Sequence, residues 1–234
     1  MASLVSERGN SPWRRRLYLP VYKVSEAARY ARTSPQTVSA WHKAGQGTLS
    51  DKGPRDALSY LQLIEVAVVA AFRRSGVPLN RIRKARAYVA TELKTEFPFA
   101  AYRFKTGGKS LLIAYEQIEG KGGQGKLLDV TSDGQLAWEA ILGPTLRDFD
   151  YEAGLVIRWH VAGDQSSVII DPRFAFGTPI VSGTPTWVLK ERWNAGESVG
   201  DIAEDFQIET ADVTSALAFE GIHADARHET AWTN

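Results

Sequence analysis

The sequence contains no cysteine, which excludes disulfides, a thiolate metal site and a cysteine nucleophile. A long apolar run is missing as well. The most hydrophobic stretch, residues 58–72, is interrupted by Gln62 and Glu65 and is too short to span a bilayer. Arg14, Arg15 and Arg16 near the N-terminus are not followed by an apolar segment, so no secretory leader is expected. The four histidines, His42, His160, His223 and His228, are scattered, and no serine–histidine–acid spacing accompanies them. His223 and His228 have no further ligand cluster for a metal. The glycine-rich run GKGGQG (120–125) lacks the Lys-Ser/Thr and the helix of a phosphate-cradling loop and reads as a hairpin tip. Asp148, Asp150 and Glu152 alternate along an extended segment, as a solvated edge strand would. These absences leave a non-enzymatic protein with no cofactor and no metal, expected in the cytoplasm and away from membranes.

With 44% hydrophobic and 24% charged residues, the 234-residue chain has enough apolar mass for a core in one large or two smaller domains. Its net charge of +1 conceals an uneven distribution. Residues 1–100 hold 17 Lys+Arg against 7 Asp+Glu, a net of +10; residues 101–234 hold 11 against 20, a net of −9. A basic half suits a polyanion, and an acidic half suits something else.

The basic half carries VSEAARYARTSPQTVSAWHK, residues 24–43. Ser25 is placed to cap a first helix, and Ala27, Ala28 and Ala31 are small enough to let a second helix approach. Ser34-Pro35 is a cap and first-turn pair for that second helix. Val38 and Trp41 face inward, leaving Gln36, Thr37, Ala40 and Lys43 outward. This pattern fits either a helix-turn-helix that enters a major groove or an ordinary helical hairpin with a solvated face. The preceding PWRRR reads as a basic arm for phosphates or as a frayed terminus. The Gly-rich loop 44–55 occupies the place of a wing, where Lys52 and Arg55 could meet phosphates. Helices are expected over 58–74, with Leu61, Ile64, Val68 and Phe72 inward, and over 79–93, with Ile82, Ala85, Val89 and Leu93 inward; Gly76 and Pro78 separate them.

The helix-turn-helix, the apolar helix and GVPLNRIRKARAYVATEL together resemble the MerR-type DNA-binding head over roughly residues 20–95. The resemblance implies a symmetric dimer whose second helix reads operator DNA. It places Ser34, Gln36, Thr37, Ser39 and Lys43 at DNA-facing positions and Arg29 at a backbone-facing one. Two departures stand out: Arg32 occupies the turn position where glycine is usual, and Ser39 replaces a common arginine. Both imply a modest reader that relies on dimerisation. Metal-sensing members use cysteines, which this chain lacks.

Past Pro98 the pattern turns to period two. Short strands are expected over 99–105, 111–115, 126–130, 136–138 and 155–159. Gly107-Gly108 and Asp133-Gly134 are the best hairpin candidates, and Gly122-Gly123 and Ala162-Gly163 mark further turns. A strand at 168–171 and a structured turn at 172–179 follow. Then come a helix opened by residues 182–186 and running to about Ala195, one over 199–206 capped by Ser198, and one over 211–220 capped by Thr210, again as a helix-turn-helix. Here Glu197, Asp201, Glu204, Asp205, Glu209 and Asp212 make phosphate contact unfavourable, so a protein-binding or dimerising role fits better.

The segment IIDPRFAFGTPIVSGTPTWVLKERWNAGESVGDIAEDF looks like the small antitoxin domain of VapB-like proteins, over about residues 167–220. Combined with the MerR-like head, it resembles the longer VapB-type antitoxins. That resemblance implies a cytoplasmic antitoxin that binds a PIN-like ribonuclease toxin and represses its own operon. Trp187, Arg192 and Trp193, with Arg227 and Trp232 of the tail, are the candidate toxin contacts. The expected architecture is α+β: a basic arm (1–20), a MerR-like helical domain (21–97), a β-rich middle that could dimerise (98–165), an acidic helical antitoxin module (166–220) and a tail (221–234). The competing reading is a free-standing MerR-like regulator whose C-terminal half binds an apolar or aromatic ligand through Trp138, Trp159, Trp187 and Trp193.

Overall fold

In a computed structural model of the chain, which describes residues 12–43, 48–49, 57–119 and 142–223, two units separate, Met1–Ile157 and Arg158–Asn234. Their architecture is mixed α+β, as the sequence predicts. The first unit contains α1 (Pro12–Arg16), α2 (Val24–Tyr30), α3 (Pro35–Trp41), α4 (Tyr60–Arg74), α5 (Leu79–Leu93), α6 (Tyr102–Glu119) and α7 (Gly143–Arg147). Strand β1 (Phe149–Glu152) and the start of β2 (Leu155–His160) complete it, joined by a turn in which Ala153 and Gly154 both have positive φ. The second unit continues with β3 (Ile169–Ile170), β4 (Ile180–Val181), β5 (Thr184–Pro185), α8 (Thr186–Asn194), α9 (Val199–Phe206) and α10 (Thr210–Phe219).

Helix α4 is the centre of the first unit. The sequence predicts one apolar stripe, but every residue from Tyr60 to Phe72 is buried, so the helix is enclosed on all sides. Its two polar interior residues both have partners. Ser59 and Gln62 form a reciprocal cap, with Ser59 N–H donating to Gln62 Oε1 at 2.8 Å. Glu65, 1% exposed, accepts from the Arg86 guanidinium on α5 and from Phe99 N–H at 2.7 Å. Arg86 also donates to the Glu96 carbonyl at 2.6 Å. This arginine is therefore an interior tie between helices, not part of a solvated face.

Several expectations need correction. Helix α2 is capped at Lys23, whose N–H donates to the Glu26 carboxylate at 2.7 Å, and Ser25 lies inside the first turn. The last helix is capped at Glu209, with Thr210 its first residue. Residues 12–16 of the expected arm form helix α1, and Arg14 Nη2 donates to the Ala153 carbonyl at 3.1 Å. The strands expected over 99–105 and 111–115 are instead a 3-10 turn, Pro98–Ala100, and helix α6, with Gly107-Gly108 inside the helix. The reason is spacing. Phe104, Gly108 and Leu112 are buried four residues apart, a helical repeat that a short alternation of small and aromatic residues concealed. Phe99 and Phe104 then pack with ring centroids 4.8 Å apart. The strands expected at 126–130 and 136–138, with Gly122-Gly123 and Asp133-Gly134, lie outside the described residues.

The strands run in the order β1-β2-β3-β4-β5, with antiparallel pairing from β2 onward. Trp159 lies opposite Ile170 and Ile180 opposite Pro185. Within the second unit, Val181, Leu189, Trp193, Ile202, Val213 and Leu217 form one core, with Phe206 and Ile222 packed against it.

Candidate nucleic-acid interface and partner surface

In the first unit, the helix pair α2–α3 forms as the sequence predicts. Ala27, Ala28 and Ala31 are buried, as are Val38 and Trp41 of α3. Ser34 Oγ accepts from Thr37 N–H at 3.2 Å and lies 2.8 Å from Thr37 Oγ1, with Pro35 opening the helix. The pair is closed at its base by a bridge between Tyr22 and Leu58, with Leu58 N–H donating to Tyr22 carbonyl at 2.7 Å. Among the candidate DNA contacts, Arg29, Ser34, Gln36 and Lys43 are exposed, and Thr37 and Ser39 half-buried. The Arg29 guanidinium sits 5.1 Å from the Tyr30 ring centroid, which orients it without removing its charge. Lys52 and Arg55 of the wing lie outside the described residues.

The turn between α2 and α3 has φ of +54° at Arg32. The conformation is the left-handed one for which glycine is usual; only the residue differs. Thr33 N–H donates to the Ala28 carbonyl at 2.9 Å and Arg32 N–H to Arg29 at 3.1 Å, which closes a Schellman motif. The backbone geometry thus survives the substitution, at a steric cost to the arginine of about 1 kcal/mol.

In the second unit, the candidate partner contacts divide. Trp187 is 54% exposed. Trp193, expected at a partner surface, is 6% exposed and belongs to the core, because its position on α8 shares the inward side with Leu189. Arg192 is engaged within the unit: its Nε donates to Glu197, its Nη2 to Asp205, and the guanidinium lies 5.4 Å from the Phe206 ring centroid. These two carboxylates push its pKa up, Glu197 first. Arg227 and Trp232 lie outside the described residues.

The acidic surface is also partly committed. Asp201 accepts from Ser198 Oγ at 2.7 Å in the α9 cap, and Asp212 accepts from Ser182 Oγ at 2.5 Å. Glu204 and Glu209 remain exposed.

Residues 171–178, expected from the sequence only as part of a structured turn, form a further surface. Asp171 is fully buried and accepts from Arg173 Nη2 at 2.6 Å and Arg173 N–H at 2.9 Å, with Arg158 Nε at 3.5 Å. The loop anchored there has positive φ at both Ala175 (+43°) and Phe176 (+53°) and presents Phe174 and Phe176, 51% and 82% exposed. The available signal was the run Phe-Ala-Phe-Gly: two aromatics beside a glycine in a turn too short to bury them. Strained backbone carrying exposed aromatics is a recurring mark of a binding surface. Trp159 is buried against β3 and Trp193 in the core, so neither offers a face to an aromatic ligand.

Three comparisons bear on these surfaces. Residues 168–219 match the family described as "Protein of unknown function (DUF433)". Over 227 residues the chain is 25% identical to the Mycobacterium tuberculosis protein named "Putative antitoxin VapB45", covering 86% of this chain and 94% of that one. Its fold is similar to the crystal structure of Rv2018 from Mycobacterium tuberculosis, with a TM-score of 0.70 at 22% identity, covering 86% of this chain and 99% of the other. Among the described residues, no helix is long and apolar enough to cross a membrane.

Proposed function

We propose that this chain is the antitoxin of a toxin–antitoxin pair. Its second unit binds and neutralises a PIN-like ribonuclease toxin, and its helix-turn-helix binds the operator as a homodimer to repress the operon. The observation that carries the reading is the near end-to-end similarity to a protein named as an antitoxin, since the match takes in both units. Two physical features support it. The exposed Gln36 of α3, with exposed Ser34 at its start and cationic Lys43 just past its end, is a set suited to base edges and phosphates. The second unit exposes Phe174, Phe176 and Trp187 and also acidic Glu204 and Glu209, a mix that suits a cationic partner such as an RNA-cleaving enzyme. No catalytic role is assigned to this chain.

Co-expression tests the antitoxin half. An adjacent gene for a small PIN-like protein should be toxic alone and harmless together with this chain. If the two proteins neither co-purify nor relieve toxicity, the antitoxin reading fails. For the DNA half, Gln36→Ala combined with Lys43→Ala should lower affinity for the chain's own promoter by at least tenfold in a mobility-shift titration. Unchanged affinity would place DNA recognition on another surface.

A further inference from the structure

Beside α3 the first unit has an open cleft of about 270 Å³. Thr37 and Trp41 of α3 form one wall, the turn residues Arg32 and Thr33 a second, and Arg73 and Arg74 at the end of α4 a third, with Ala70 at the base. Three arginines and two threonines therefore line one small concavity, and among the described residues no carboxylate lines it. Arg73 Nη1 donates to the Val77 carbonyl at 2.7 Å and Arg74 Nη1 to the Ala31 carbonyl at 2.9 Å. Each guanidinium has five N–H donors, so these two bonds hold the arginines in place while leaving donors available among the described residues. Such a cluster of like charges is unfavourable when empty: burial and the nearby Arg32 both lower the pKa of Arg74.

We propose that this cleft is a phosphate-binding site, in which Arg32, Arg73 and Arg74 with the hydroxyls of Thr33 and Thr37 hold the oxygens of one phosphate group. Fixed guanidiniums match a tetrahedral oxyanion through paired N–H donors, and hydroxyls complete its shell. The volume falls just below that of typical drug-sized ligand sites, which begin near about 300 Å³; it suits a phosphate group and not a whole nucleotide. The position of Arg32 gains a reason. A left-handed turn residue would be cheaper as glycine, and the arginine at this position puts a cation on the lining of the cleft. The source of the phosphate is either the backbone of DNA lying along α3 or a free phosphate. The site does not depend on α3 reading DNA.

Arg32→Gly in the full chain separates charge from fold, because it removes the guanidinium and relieves the left-handed backbone. Thermal midpoints are measured against inorganic phosphate, with chloride at equal ionic strength as the control. Wild type should be protected saturably, and Arg32→Gly should need about tenfold more phosphate while melting no lower in its absence. Arg32→Lys, which keeps the charge and loses the fork, should fall between. Equal protection of wild type and Arg32→Gly, or no protection of wild type beyond chloride, would overturn the proposal. With protection established, duplex binding assigns the source. A weaker Arg32→Gly complex whose log–log salt slope drops by about 1 places a DNA phosphate in the cleft. Equal affinity and slope place a free phosphate there. If wild type is protected by phosphate but binds no duplex, the DNA-binding reading falls and the cleft stands.

Discussion

Two buried carboxylates, Glu65 and Asp171, hold more of this molecule than their number suggests. Burial pushes the Glu65 carboxyl above its ordinary 4.5, while Arg86 and the N–H groups of Phe99 and Ala100 pull it partly back. Removing it leaves Arg86 and Phe99 N–H without their acceptor, so Glu65→Ala should cost about 3–5 kcal/mol in chemical denaturation. Glu65→Gln keeps an oxygen for Phe99 N–H and should cost clearly less. The pH dependence follows from the raised direction. Between the unfolded value and the raised folded one, the native state binds more protons, so this group's contribution is full below that window and is lost as pH rises through it. The difference in thermal midpoint between wild type and Glu65→Gln should therefore shift in favour of wild type as pH falls from 7 toward 4. A constant difference would show that Glu65 does not titrate differently on folding. Asp171 fixes the root of the aromatic loop, and Asp171→Ala should cost about 3 kcal/mol by stranding Arg173. The same substitution should weaken toxin capture in a pull-down even at temperatures where the chain stays folded, because Phe174 and Phe176 lose their anchor.

At the scale of elements, the two helix-turn-helix units share one turn geometry. Gln207 after α9 has φ of +55°, and Ile208 N–H donates to the Ala203 carbonyl at 3.0 Å, the same closure that Thr33 makes to Ala28. The end of α4 reaches this geometry with Gly76, φ +81°, the residue type that adopts it without a Cβ clash. Gln207→Gly should consequently raise the midpoint of unfolding, by about 0.5–1 kcal/mol in stability, with no change in DNA affinity. The helix caps are ordinary by comparison. Ser34→Ala removes the acceptor for Thr37 N–H and should cost about 1 kcal/mol, read by denaturant midpoint, while also loosening the start of α3.

For the whole molecule, the charge split of +10 over residues 1–100 and −9 beyond determines how the proposed associations with DNA and with a toxin should respond to salt. DNA binding by the basic part should weaken steeply, with log affinity falling against log salt by about 0.9 per phosphate contacted. Toxin binding, if the Phe174–Phe176 loop carries it as proposed, should fall much less, because apolar burial is not screened. Titrating both complexes from 50 to 200 mM salt checks this. Equal slopes would mean that charge, not the Phe174–Phe176 loop, dominates toxin capture.

Local patterns decided much of this protein before any tertiary contact. The Ser34-Pro35 pair, the inward Val38 and Trp41, the stop at Gly76 and the cap at Ser198 all depend on residues within a few positions of one another, so they are legible in the chain. The charge asymmetry and the absence of cysteine are likewise properties of composition. Packing decided the rest. The four-residue repeat of Phe104, Gly108 and Leu112 becomes evident only once their burial picks them out from their neighbours, and only tertiary enclosure covers α4 on every side. The exposure of Phe174 and Phe176, the burial of Trp193 and the capture of Arg192 by Glu197 and Asp205 depend on neighbours brought in from other elements, and no spacing along the chain encodes them. The cleft is of the same kind: Arg32, Arg73 and Arg74 are 41 and 42 positions apart in sequence, and only the packing of α4 against the helix pair makes them neighbours.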